Sequence, residues 1–484
     1  MKKVVYVVIL AVLLTVDCTS QTKSPDKTPT KVEMKEPELC WTIDDLPSTS
    51  SVSAAVGDIT GDEKPEIVFG TYCGGNRVYA VDGIKGKILW EYQVAKHPKC
   101  GCIDDAAALY DINGDNKKEV FFGSTMTKDF FCLSGESKVV WKYKISEQAI
   151  FDSACAIGDI DGDKKPEVVF GITGNVDRKA GKFGAIYALT ADEGKFLWKT
   201  YFGGQCQCEP VLVDLDGDKV LDVVVTIHWE SPRTGSDGKK IFGLSGKDGS
   251  ELWVYKTGKY NQYHNVSVGD LNGDGQTELA IATTEKIILL TTGGKLIWDF
   301  QADCAIPGPT TMADLDNDKR LELVFVDAAG TCYCLKDERG KPNLLWKTPT
   351  REDPTKGRRE EDAFRGVAVA DVSGDGKLDV VFCTVHDQKL HILNGADGSS
   401  FWEFRTEGPA GDTRTYVPRT VPVIADLDGD GKMEIFLVAG SQMHPSQNPP
   451  ETYGRVFCFK TAGTGPEWTM FRRDLTHHGC VPIK

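Results

Sequence analysis

The chain has 484 residues, 40% of them hydrophobic, with 50 glycines, 10 tryptophans and a formal net charge of −15. That apolar content supplies a folded core and excludes a disordered chain. The acidity recurs in one short loop rather than forming a long-range field, and with no basic stripe beside it nucleic acid is excluded as a partner.

In chain order, Lys2 and Lys3 precede an apolar run from Val4 to Val16. The run is too short to span a bilayer comfortably and suits the core of an export signal. Cys18 and a Ser/Thr/Lys/Pro-rich stretch to about Pro37 follow. This resembles the start of a bacterial lipoprotein, although Asp17 stands where a small residue is usual. The resemblance implies a signal peptide over 1–18, lipid on Cys18, a flexible tether over 19–38 and one folded domain over 39–484. The expected location is the bacterial cell envelope or the exterior, with the lipid anchor as the sole membrane contact. Removing Cys18 leaves an even number of cysteines in an exported chain, which predicts disulfides.

An acidic nine-residue loop then recurs eight times. Copies begin at Asp58 (DITGDEKPE), Asp111 (DINGDNKKE), Asp159 (DIDGDKKPE), Asp214 (DLDGDKVLD), Asp270 (DLNGDGQTE), Asp314 (DLDNDKRLE), Asp371 (DVSGDGKLD) and Asp426 (DLDGDGKME). Oxygen-bearing side chains at positions 1, 3, 5 and 9 surround a tight turn, an arrangement that suits Ca²⁺ with its six to eight oxygen ligands. Spacings of 44 to 57 residues mean a radial array of units rather than one enzyme fold with an accidental motif.

Each unit reads alike. A short small-residue strand enters the loop, and an apolar run such as EIVFG at Glu66 or EVVFG at Glu167 leaves it. A third strand follows (Val78 to Val81, Ile186 to Leu189), then a Gly turn and a fourth strand holding a tryptophan: Trp90, Trp141, Trp198, Trp253, Trp298, Trp346 or Trp402. Runs of β-branched and aromatic residues bounded by turns are strands. Four antiparallel strands per unit predict an all-β, eight-bladed β-propeller closed by its N- and C-terminal strands. Trp41 fits the fourth-strand series and so does Trp468, leaving two candidates for the outer edge of the last blade. Cys40 and Cys480 flank this seam, and a disulfide clasp between them is predicted.

The strand–loop–strand core (VGDITGDEKPEIVFGT, AIGDIDGDKKPEVVFGI) resembles the FG-GAP/VCBS repeat of integrin α-chains and bacterial surface proteins. The second half (VYAVDGIKGKILWEY, IYALTADEGKFLWKT, HILNGADGSSFWEF) resembles the tryptophan-docking repeat of quinoprotein-type propellers. The first resemblance implies up to eight Ca²⁺ ions with a mainly structural role. It carries over to Asp58, Asp62 and Glu66; to Asp111, Asn113, Asp115 and Glu119; and to Asp159, Asp161, Asp163 and Glu167. The next loops supply Asp214, Asp216, Asp218 and Asp222; Asp270, Asn272, Asp274 and Glu278; and Asp314, Asp316, Asp318 and Glu322. The last two supply Asp371, Ser373, Asp375 and Asp379, and Asp426, Asp428, Asp430 and Glu434. Asn317 takes the glycine slot of the sixth loop, where a left-handed backbone is expected. The first loop, with Thr60 at position 3, is the weakest.

The face opposite the loops receives the irregular insertions, and binding residues concentrate on such loops over a rigid scaffold. Residues six before each loop Asp are expected to ring the channel mouth, giving Asp105, Cys208, His264 and Arg365 as ligand-face candidates. Trp229, outside the repeat, is the fifth. Expected partners are a protein or glycan bound there, as an adhesion module. The alternatives are an enzyme or an envelope-assembly scaffold. The enzyme would be quinoprotein-like, or a polysaccharide lyase using Arg365, His264 or Asp105. No nucleophile motif or phosphate loop stands out.

Overall fold

The computed structural model describes residues 35–48, 50, 53–72, 75–94, 103, 105–147, 150–177, 180–227, 239–258, 266–351, 365–441, 452–470 and 472–483. Among them there are strands and no α-helix. The first blade holds strands Ala55–Gly57, Glu66–Gly70, Arg77–Asp82 and Ile88–Gln93, paired antiparallel in that order. Six more blades repeat the order over 108–144, 156–202, 211–256, 266–301, 311–349 and 368–405. The eighth blade comprises Val423–Ala425, Glu434–Gly440, Gly454–Lys460 and, as its outer strand, the N-terminal Glu38–Leu46, with the short Val417–Pro418 also paired to Glu434–Gly440. The fold is an eight-bladed β-propeller.

Burial runs outward along each blade for a physical reason. The second strands are covered on both faces by neighbouring blades, so EIVFG, DVVVT and ELVFV are buried at every residue. The outer strands meet solvent on one face and alternate, as in Ile88–Gln93 and Val139–Lys144. The repeat tryptophans join adjacent blades. The Nε1–H groups of Trp90, Trp141, Trp198 and Trp346 donate to the carbonyls of Gly135, Ala191, Gly246 and Gly395 in the next blade, at 2.7–2.9 Å. The indole of Trp141 also lies where a Cβ on Gly194 would sit, 2.5 Å from its Cε3, and Gly194 is left-handed at φ 65°. Glycine is therefore required in that turn.

The seam is closed by Trp41, not Trp468. Trp41 stands opposite Cys458 on the outer strand of the eighth blade, and its indole packs on Gly86 of the first. Trp468 instead lies at the centre. It exchanges backbone hydrogen bonds with Ile424 at 2.7 and 2.9 Å. From there the C-terminal segment visits the innermost strands in turn. The N–H groups of Val56, Ile157, Leu212, Val268 and Met312 donate to the carbonyls of Thr469, Leu475, Thr476, His478 and Gly479 at 2.7–3.0 Å. Each innermost strand has one edge paired within its blade and one turned to the axis. The segment supplies acceptors for that second edge, which would otherwise be a row of orphan donors.

The predicted Cys40–Cys480 clasp does not form. Cys40 lies in the bulge beside Trp41 on the eighth blade, whereas Cys480 pairs with Met312 of the sixth and lies against Gly269 of the fifth. The chain after Trp468 follows the axis, which carries Cys480 away from the seam. No disulfide joins the described cysteines, and Cys132, Cys334 and Cys458 are fully buried packing residues of the third strands.

Candidate metal centres on the loops

The nine-residue loops are built by their own carboxylates. In the third loop Asp159 Oδ1 accepts from Gly162 N at 2.7 Å and Oδ2 from Lys164 N at 3.0 Å. Asp161 accepts from Asp163 N, Asp163 from Lys165 N, and Glu167 Oε2 from Ile160 N at 3.0 Å. The same bonds recur from blade to blade, as at Asp214 to Gly217 and Lys219, and at Asp426 to Gly429 and Gly431. Asn317 takes the glycine position at φ 61°, as its side chain permits. Position 6 is left-handed too, at Lys164, Lys219 and Lys319. Glycine takes the same position in the fifth, seventh and eighth loops, at Gly275, Gly376 and Gly431, so the second reversal is marked in the sequence of those three loops only.

In these bonds Asp161, Asp163 and Glu167 each use one carboxylate oxygen, whereas Asp159 uses both. Oxygen atoms from Asp159, Asp161 and Glu167 lie within 4.8 Å of one another. The same holds for Asp214, Asp216 and Asp218; Asp270, Asp274 and Glu278; Asp314, Asp316 and Glu322; and Asp426, Asp428 and Glu434. Ligands about 2.4 Å from a shared calcium ion are at most about 5 Å apart, so the spacing fits such an ion. Burial, helped by the neighbouring loop aspartates, pushes Glu66, Glu167, Glu278 and Glu434 up to about 7. A cation would relieve that cost.

The first, second and seventh loops do not converge in this way. In the seventh, Asp379 is one methylene shorter than Glu and its Oδ2 already accepts from Val372 N and Ser373 N. In the first, Thr60 supplies no carboxylate beside Asp58, Asp62 and Glu66. In the second, Asp111 is held low by its backbone donors, although burial opposes them. Asp115 and Glu119 are not brought to it. Asp222 of the fourth loop accepts from Leu215 N and Gly246 N, so the three aspartates converge without it.

Three ligand-face candidates are within the described residues. Asp105 is buried and accepts from Gly123 N at 2.7 Å. Cys208 is buried and donates to Thr226 O at 2.5 Å. Arg365 is 7% exposed, 3.9 Å from Glu209. Ser153 and Thr420, at the same repeat position, donate to Gly171 O and Val438 O. Asp105, Ser153, Cys208 and Thr420 thus each reach the backbone eighteen residues on, pinning the entry of the innermost strand to the second strand. His264, Trp229 and Cys18 lie outside the described residues.

The FG-GAP-like repeat family matches residues 214–281 and 371–437, which contain the fourth, fifth, seventh and eighth loops. No curated protein matches the chain. Among solved structures, the quinohemoprotein alcohol dehydrogenase of Comamonas testosteroni is similar with a TM-score of 0.61 at 15% identity, over 89% of this chain and 77% of that one. A biofilm matrix protein of V. cholerae gives 0.60 at 14%, over 93% and 96%. BamB of Moraxella catarrhalis gives 0.51 at 13%, over 88% and 98%. Identities this low establish the shared fold alone. The loops, the docked tryptophans and these matches together identify the chain as an eight-bladed β-propeller built on FG-GAP-like repeats.

Proposed function

We propose that this chain is an exported, lipid-anchored calcium-binding propeller whose inserted-loop face binds a protein or glycan, as an adhesion module. Calcium is the ion that all-oxygen clusters on flexible loops suit best. Its role is structural, because binding only the folded state stabilises that state by mass action, about 2.7 kcal/mol per site at a hundredfold excess over Kd.

The observation that carries the binding reading is the course of the C-terminal segment. The innermost strands of a propeller converge on the axis, where a reactive site could be assembled from several blades. Here that position is taken by the chain's own residues from Gly465 to Val481, hydrogen-bonded to strand after strand. The surface left for a partner is the irregular face. The fold shared with a biofilm matrix protein supports an extracellular binding role. Cys18 supplies the anchor in this reading.

A glycan array and an envelope pull-down, each run in calcium and in chelator, test the proposal. Binding that disappears when the 440–454 insertion is shortened supports it. Turnover of an alcohol with an added quinone, or release of unsaturated products from a polysaccharide, overturns it in favour of an enzyme.

A further inference from the structure

Two of the eight loops already contain a cation. Lys336 Nζ lies 3.0 Å from Asp316, 2.7 Å from Asp318 and 2.6 Å from Glu322, and its side chain is 7% exposed. Lys460 Nζ lies 2.5 Å from Asp428, 2.7 Å from Asp430 and 3.9 Å from Glu434. In both loops the ammonium meets positions 3, 5 and 9, and positions 3 and 9 also belong to the three that converge in each loop, the remaining one being Asp314 or Asp426 at position 1. Both lysines hold one register position, opposite the ninth loop residue on the third strand.

Elsewhere that position is short and serves the adjacent turn. Asp82 stands opposite Glu66, Thr190 opposite Glu167, Thr291 opposite Glu278 and Asn394 opposite Asp379. Asp82 accepts from Ile84 N and Lys85 N, and Asn394 from Ala396 N. Lysine cannot accept such bonds. In the sixth blade Asp337, one residue later, accepts from Gly340 N instead. In the eighth blade Thr461 likewise accepts from Gly463 N, so in both blades the cap moves one residue on and leaves the register position to a lysine. Lys247 of the fourth blade differs, reaching Asp218 alone from an exposed turn.

We infer that Lys336 and Lys460 are tethered cations that replace calcium in the sixth and eighth loops, leaving the third, fourth and fifth as the ion sites. The inference rests on the calcium reading of the loops. An ammonium with three carboxylate neighbours takes the space beside positions 3 and 9 that an ion would need, and a divalent ion cannot share the position against like charge. The consequence is a division of labour: the ring-closing blade keeps its loop when calcium is withdrawn, and the third to fifth blades do not.

Equilibrium dialysis of the full chain against calcium, read by elemental analysis, counts the ions. Lys336→Met and Lys460→Met are each expected to raise the count by one per chain. An unchanged count in folded variants, beside a wild type that does hold ions, overturns the inference and leaves the calcium reading intact. A wild type and variants that all hold none overturn both. Crystals of the wild type soaked in a lanthanide need no variant: anomalous peaks are expected in the third to fifth loops, and a peak in the sixth or eighth overturns the inference.

Discussion

Glu167 lies buried beneath Asp159, Asp161 and Asp163, and that stacking sets the loop's response to pH. Burial and the three aspartates, opposed by the Ile160 N–H donor, push its carboxyl up to about 7. Glu278 of the fifth loop behaves alike. Their unfolded value is about 4.3. A raised folded value means the ion-free protein takes up protons on folding. The associated stability is complete below about pH 4 and is lost as pH rises through about 7. A bound cation competes with those protons. The rise in Tm on adding calcium should therefore be small at pH 5 and grow to a maximum near pH 8. Differential scanning calorimetry at both pH values, with calcium and with chelator, checks this. An equal increment at pH 5 and pH 8 would show that these glutamates are not ligands.

At the scale of elements, the C-terminal segment does what no blade strand does: it touches most of the others. Arg472 is its central fastening. The guanidinium is buried and donates to Thr310 O, to Val266 O at 3.1 Å and to Ser267 Oγ at 2.8 Å, joining the fifth and sixth blades at the axis. Removing it takes a charged donor from each of these buried acceptors, although the Ser267 hydroxyl still donates to Thr310 O at 2.6 Å, and a hydrogen bond to a charged group contributes about 1.5–3 kcal/mol. Arg472→Met is expected to lose about 3 kcal/mol in urea unfolding, with secondary structure by circular dichroism unchanged at low urea. A midpoint equal to wild type would mean that the segment only rests on the axis. Little in the amino-acid pattern marks this element, because its apolar residues are few and follow no strand period. Trp468 even mimics the blade pattern, fitting the fourth-strand slot by distance alone.

For the whole molecule, stability depends on closing the ring. The outer strand Glu38–Leu46 pairs with Gly454–Lys460 across the full length of the chain, and Trp41 then docks on the first blade at Gly86. Without it, the third strand of the eighth blade presents a bare apolar edge, a template for intermolecular pairing. A chain beginning at residue 48 is expected to aggregate or to elute as oligomers in size-exclusion chromatography, while one beginning at residue 35 stays monodisperse. A monodisperse shorter chain with an unchanged Tm would refute the closure.

Much of this architecture is legible in the sequence. The loop repeat, its spacing and the tryptophan per unit are enough for eight blades, because a propeller repeats one local pattern and each blade is built from contiguous residues. The loop carboxylates are legible for the same reason, since positions 1, 3, 5 and 9 are neighbours along the chain. What tertiary structure alone decides are relations between distant residues. The axis belongs to the C-terminal segment, the seam to Trp41 and the sixth and eighth loops to Lys336 and Lys460. Asp105 and Cys208, expected as ligand contacts, sit as pins between strands eighteen residues apart. Local periodicity fixes what a segment is, but the partner of a buried charge or a free strand edge depends on which chain reaches it in space.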